Sequence, residues 1–412
     1  MRLSTGRAGA HVAEKAANPP LRRTNDHERK PRAHKTDSLW QFRCMKRVLV
    51  LTAGFGEGHN TAARAISEAL QALGGAEVRT MDLYAQAVPF VNSTVKLGYS
   101  MAINRAPWLW RLIFFGLDQP GLMESTMWAT GRLRNELDKA LADFHPDIVV
   151  STYPLYAYLF RQLQKKRLGI KMPIVTVITD SLGVNSAWFR CLSDAFIVAD
   201  QETKDLLIEE KVPPEILHPL GFPVSLAFSN TASTPVDSRP PWKLLFMPST
   251  QLHLTLRQIR ALTEIEDTEL TVLAGRHERI FDAVNESGLV SGEKCRLIGW
   301  TDAMPKLLSE HHAFIGKAGG AIVQEAIAAR CPFFVSHVVP GQEEGNIELI
   351  ERLNVGARAV GSPERLVQVI RDAFANDAER WRTWKRNLEA HKGSNAATAI
   401  ARFVLDFQPA TR

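Results

Sequence analysis

The chain reads as an α/β protein of two doubly wound domains, each a parallel sheet clothed by helices. Short apolar runs alternate with longer amphipathic stretches from Arg47 onward, which is the rhythm of βαβ units. That rhythm breaks over 229–241, where Asn, Thr, Ser, Asp and three prolines replace large apolar side chains, and then resumes. The 412 residues, 45% hydrophobic and 23% charged, suffice for two domains of roughly 100 to 200 residues each.

In the first half, strands are expected at 48–53, 77–82, 147–152, 174–179, 195–199 and 216–220. Several, such as Val48-Leu49-Val50-Leu51, have the continuous apolar character of strands covered on both faces. The second half places strands at 243–247, 270–274, 296–298, 313–315, 333–336 and 357–360, each followed by a helical stretch. Two last helical patterns, 378–391 and 396–407, close the chain, and one of them is free to cross back onto the first domain. The expected organisation is a tail over 1–45, a first Rossmann-like domain over 46–228, a linker over 229–241, a second Rossmann-like domain over 242–390 and a C-terminal helix over 391–412.

The formal charge of +6 sits in the tail, whose first 45 residues hold ten Lys or Arg against four acids. The remainder is near neutral, so the basic balance does not argue for a nucleic-acid partner. The tail lacks a periodic apolar face and contains Pro19-Pro20 and Pro31, so it is expected to be disordered. Met45 directly precedes the first strand-like run, which makes it the expected native start and the tail a gene-model extension. Cys44, Cys191, Cys295 and Cys331 share no short spacing that would build a disulfide framework or a metal knuckle. No run of about 18 apolar residues and no hydrophobic leader core is present, so a cytoplasmic protein is expected.

The first chemical signal is Gly54-Phe-Gly56-Glu57-Gly58-His59, between the first strand and an amphipathic helix. Glycines there let a ligand approach the backbone, and a helix N-terminus favours negative charge. It is not the dinucleotide fingerprint, because His59 stands where the third glycine would fall, and the phosphate-loop lysine pattern is absent as well. An imidazole at a cleft mouth is suited to take a proton from a hydroxyl; the same residue also suits a turn that seals a helix start.

A second signal, Gly316-Lys317-Ala318-Gly319-Gly320-Ala321 through Glu325, again passes from strand to helix. It would present backbone N–H groups to a diphosphate, with Glu325 one turn further on for a ribose, although paired glycines are also ordinary turn chemistry. The loop Val338 to Asn346, with Gln342 and Glu343, carries the amide and carboxylate groups that recognise sugar hydroxyls; it also reads as a solvated Pro-Gly turn. Asp180 ends a buried strand, where it can orient a histidine, act as a base, or cap a turn. Over 89–134, Trp108, Trp110, Phe114 and Phe115 interleave with Arg111 and other cations, as suits an anionic membrane surface or, for part of the set, a core.

Taken in order, these motifs resemble the family of monogalactosyldiacylglycerol synthases and processive diacylglycerol glucosyltransferases, relatives of the peptidoglycan N-acetylglucosaminyltransferase. The resemblance runs from about Lys46 to His391. It rests on Gly56 to His59, Tyr99 through Asp118, His145-Pro146-Asp147, Thr179-Asp180, Leu220 to Val224, Lys317 to Glu325, and Pro340 to Glu343 with Asn346. It implies a GT-B fold, with UDP-glucose or UDP-galactose held by the second domain and diacylglycerol offered to the first from the inner face of the cell membrane. It implies inversion at the sugar without cofactor or metal.

Residue by residue, the resemblance implies His59 near the acceptor hydroxyl; Asp180 is the second catalytic candidate, from its place at the strand end. Gly56, Gly58, Trp108, Trp110, Arg111, Phe114 and Phe115 would serve the acceptor and the membrane. Gly319, Gly320 and Ala321 would lie at the diphosphate, Glu325 at the ribose, and Gln342 with Glu343 at the sugar, with Lys317 and Asn346 also among the UDP-sugar-binding residues. Ser249 and Thr250 stand where relatives carry a glycine-rich loop. Rival expectations are transfer to another lipid acceptor, epimerisation of a UDP-sugar, and a catalytically weak UDP-sugar or lipid-binding protein.

Overall fold

The computed structural model describes residues 45–54, 57–87, 130–166, 172–181, 183–191, 193–290, 292–339, 343–391 and 396–409. The tail, Gly56, the aromatic and basic residues Trp108, Trp110, Arg111, Phe114 and Phe115, and Gln342 lie outside the described residues. Along the first half run β1 (Lys46–Thr52), α1 (Glu57–Leu73), β2 (Ala76–Asp82), α2 (Leu83–Ala87), α3 (Gly131–Phe144), β3 (Ile148–Ser151), α4 (Pro154–Lys166), β4 (Ile174–Val177), β5 (Ala195–Val198), α5 (Gln201–Glu209) and β6 (Leu217–Pro219). The second half supplies β7 (Trp242–Phe246), α6 (Leu252–Thr263), β8 (Thr268–Leu273), α7 (Glu278–Glu286), β9 (Cys295–Ile298), α8 (Met304–Glu310), β10 (Ala313–Lys317), α9 (Gly320–Ala328), β11 (Phe333–His337), α10 (Glu344–Arg352) and β12 (Gly356–Arg358). Helices α11 (Pro363–Ala390) and α12 (Ala396–Asp406) follow, α11 being kinked at Ala375–Ala378. Every strand expected from the sequence is present, with ends within two residues of the expected ones.

Among the described residues the strands form two six-stranded parallel sheets, ordered β2-β1-β3-β4-β5-β6 and β12-β11-β10-β7-β8-β9. Strands β3, β4 and β5 are buried at every position, which is why their sequences carry no polar alternation. In each sheet the order reverses once, between β1 and β3 and between β10 and β7, and ligands bind beyond the strand ends at such points. Both sheets belong to one compact unit.

The halves share a core. Ala62 of α1 packs in one cluster with Phe222, Val224 and Phe228 and with Phe314, Ala321, Ile322 and Leu349 of the second half. Residues 222–228, assigned to the first half by the sequence reading, thus lie in the core beneath the second sheet. Chain direction is then reversed by α12, whose Ala397, Ile400, Ala401 and Val404 pack with β1, β4 and α1 of the first half. Lys46 Nζ donates to the carbonyls of Val404, Leu405 and Phe407 at 3.0, 3.1 and 2.9 Å, a cation at the helix C-terminus. Gly221 marks the crossing: its φ of +98° and a would-be Cβ 2.8 Å from Ala396 Cβ both demand glycine.

Candidate active site

In the first half, the turn leaving β1 is tied down by Asp82, whose Oδ2 accepts from the Gly54 N–H at 3.0 Å. Helix α1 then starts with Glu57 in its first turn, the sign its dipole favours, and His59 follows, half-buried. Thr152, just past β3, donates its hydroxyl to the His59 carbonyl at 3.1 Å. His59 Nδ1 lies 3.1 Å from the Thr179 hydroxyl, just past β4. The Tyr153 ring stands edge-on at 5.2 Å and the Trp188 ring is tilted at 5.8 Å. Burial pulls the imidazole down to about 4, so it is neutral at physiological pH.

Asp180 faces elsewhere. Its Oδ2 accepts from Trp188 Nε1 at 2.7 Å, and burial pushes its carboxyl up to about 6 against the opposing pull of that bond. The carboxylate therefore meets the histidine through the Trp188 ring, while the ring nitrogen itself is partnered by Thr179. Gly58 lies beside His59 with no atom within 4 Å of its would-be Cβ, leaving open space at the helix start.

In the second half, β10 ends at Lys317, and Gly319 (φ −68°, ψ 143°) sets the extended cap from which α9 begins at Gly320. Ala321 is buried one residue on. The turn is braced by the loop behind it: Asn346 Nδ2 donates to the Ala318 carbonyl at 2.9 Å. Glu343, 4% exposed, accepts from the Val339 N–H at 2.9 Å and from Lys317 Nζ at 3.2 Å. Ser249 accepts from the Gln251 N–H at 3.3 Å through its hydroxyl and from Thr255 Oγ1 at 3.2 Å through its carbonyl, with Thr250 exposed beside it. Glu325 is turned toward α1. Its carboxyl is raised to about 7 by burial, with Arg64 pulling it down and Glu57 pushing it up.

The two turns meet. A Cβ on Gly320 would stand 3.4 Å from the Thr179 carbonyl oxygen, so the start of α9 abuts the residue that holds His59. Sequence reasoning expected His59 and Asp180 to face one cleft, and it gave no role to Thr179, Trp188, His337 or Trp300. Thr179 and Trp188 are recognisable from their contacts in space. His337, beside Lys317 in the sheet register and lowered to about 4 by burial, gave no motif. Trp300, 57% exposed at the end of β9 with the Arg276 guanidinium 4.9 Å over its ring, has the composition of a core residue. Among the described residues there is no cluster of His, Cys, Asp or Glu able to hold a metal, and no helix is long and apolar enough to cross a membrane.

Two facing parallel sheets with ligand-ready turns at their switch points make this a GT-B glycosyltransferase fold. Among solved structures it is similar to MurG of Acinetobacter baumannii, at 14% identity and TM-score 0.58 over 88% of this chain and 100% of that one. It is also similar to the S. aureus MnaA–UDP co-structure, at 13% identity and TM-score 0.59 over 87% and 96%. In sequence, residues 59–224 match the model of the monogalactosyldiacylglycerol (MGDG) synthase family. The processive diacylglycerol beta-glucosyltransferase of Bacillus cereus (strain B4264) is 25% identical over 315 residues, 74% of this chain and 80% of the relative. Its namesake in Bacillus mycoides (strain KBAB4) is 24% identical over 314 residues. The chain is thus similar to the MGDG synthase family over residues 59–224 and to these diacylglycerol glucosyltransferases over about three quarters of its length.

Proposed function

We propose that the protein transfers glucose or galactose from a UDP-sugar to diacylglycerol at the inner face of the cell membrane, with inversion, to make a β-glycolipid. The relatives' names support the acceptor, and the aromatic and basic composition of 89–134 supports the membrane surface. The observation that carries the reaction is the approach of the Thr179 carbonyl, beside His59, to Gly320. A base and an anion-binding helix start within one contact are what direct displacement needs.

In that reaction His59 Nε2 takes the proton of the acceptor hydroxyl as its oxygen attacks the anomeric carbon. The bond from that carbon to the β-phosphate oxygen breaks, its electron pair leaves with UDP, and the imidazolium later returns its proton to solvent. The charge growing on UDP is met by the N–H groups at the start of α9 and by the Lys317 ammonium, with no metal required. Glu325 would accept from the ribose hydroxyls once turned from α1, and Gln342 with Glu343 and Asn346 would frame the sugar. Trp300, one face under Arg276, offers its other face to a nucleobase.

The test is incubation of the full chain with diacylglycerol liposomes and, separately, UDP-glucose and UDP-galactose, reading glycolipid and UDP release. Glycolipid from one donor settles acceptor and sugar together. Donor converted without lipid present would instead indicate an epimerase, and UDP bound without turnover a binding protein.

A further inference from the structure

We infer that Thr179 is the positioning residue of the base: its hydroxyl accepts the Nδ1–H of His59 and so fixes the tautomer whose Nε2 lone pair is free. This rests on the reading of His59 as the proton acceptor given above. A neutral imidazole carries one donor and one acceptor nitrogen, and the bond made by one nitrogen sets the role of the other. Nδ1 lies 3.1 Å from Thr179 Oγ1. Were the hydroxyl to donate instead, the ring proton would sit on Nε2 and no lone pair would face an acceptor alcohol.

The place of a carboxylate partner is taken. Asp180, the next residue, is bonded at 2.7 Å to the Trp188 indole. The histidine's own backbone is held by Thr152 at 3.1 Å, and its ring is flanked by Tyr153 and Trp188, so the Thr179 bond is what remains to choose between its two tautomers. Both threonines rise from neighbouring strand ends, since β3 and β4 lie side by side. The arrangement also reaches across the cleft. Because the Thr179 carbonyl is 3.4 Å from where a Gly320 Cβ would be, one residue sets the ring with its side chain and abuts the start of α9 with its backbone. Thr179 thereby holds the base in register with the turn proposed for the diphosphate.

The experiment uses the full chain. Nitrogen-15 spectra of protein labelled at its twelve histidines, with the His59 signals assigned from the His59→Gln variant, report which ring nitrogen is protonated. The expected result is protonation at Nδ1 in the parent chain and in Thr179→Ser, and loss of that preference in Thr179→Val. In turnover with diacylglycerol and UDP-sugar, Thr179→Val is expected to lower kcat roughly ten- to a hundredfold with the donor KM unchanged, and Thr179→Ser to restore it to within about threefold. Protonation at Nε2 in the parent chain overturns the inference, as does unchanged kcat in a folded Thr179→Val. If diacylglycerol is not an acceptor at all, the proposed function fails, and the tautomer still decides the role of Thr179.

Discussion

The turn from β1 into α1 and the turn from β10 into α9 face each other, follow the same strand-to-helix plan, and carry opposite chemistry. Asp82 ties down the start of the first, but around the neutral imidazole of His59 the partners are threonine hydroxyls and the rings of Tyr153 and Trp188. The second is held by charge, with Lys317 and Glu343 paired behind two glycines that leave the helix start bare. A base must be kept uncharged until it acts, and a diphosphate must be met by charge already in place. The same backbone plan serves both with different side chains upon it, His59 standing in the first where a fingerprint glycine would fall and Lys317 leading into the second.

Breaking the first turn is expected to have the largest effect. His59→Ala should lower turnover by roughly a hundredfold or more while UDP affinity by calorimetry stays within a few-fold. Retained turnover would remove the histidine from the chemistry. Breaking the second turn should act on the fold as well as on the donor. Glu343→Ala leaves the Val339 N–H and Lys317 without their partner, and a loss of about 1–3 kcal/mol is expected as a lower urea midpoint at unchanged m. Equal stability would show that water replaces the carboxylate.

A finer contrast comes from pH. Glu325 keeps its proton up to about 7 when folded against an ordinary 4.5, so the unfolded chain loses the proton first and stability falls as pH rises through that window. His59 is the mirror case: unfolded it takes a proton at 6.5, folded at about 4, so stability falls as pH drops between them. Melting curves across both windows should show Glu325→Gln flattening the upper limb and His59→Gln the lower one. The smallest effect is expected at Arg352, which pairs with Asp200 and Glu202 between the halves at a partly exposed site. Arg352→Ala should cost no more than about 1 kcal/mol, checked by the same urea midpoint.

The sheets were legible because buried parallel strands are written as uninterrupted apolar runs, as in Val48 to Leu51 and Ile174 to Val177. His59 and the glycine turn were legible because each follows such a run immediately. Thr179 was not: it stands 120 positions from His59, and the adjacent Asp180 looks the more reactive of the two. Which one meets the histidine is decided by the Trp188 indole, which no spacing announces. Nor does sequence distinguish Trp300, whose exposure at the end of β9 sets it apart from buried Trp381 and Trp384.

The return of α12 to the first half also bears on synthesis. The residue that fastens this helix, Lys46, and the carbonyl it reaches at Phe407 are 361 positions apart. At about 5–20 residues per second, a ribosome takes roughly 20 to 70 seconds to cover that distance. From Pro219 onward, roughly the second half of that interval, all six strands of the first sheet have been made while the face beside α1 still lacks Ala397, Ile400, Ala401 and Val404. The nascent first half therefore waits with an apolar face open until α12, made after the whole second sheet, completes it.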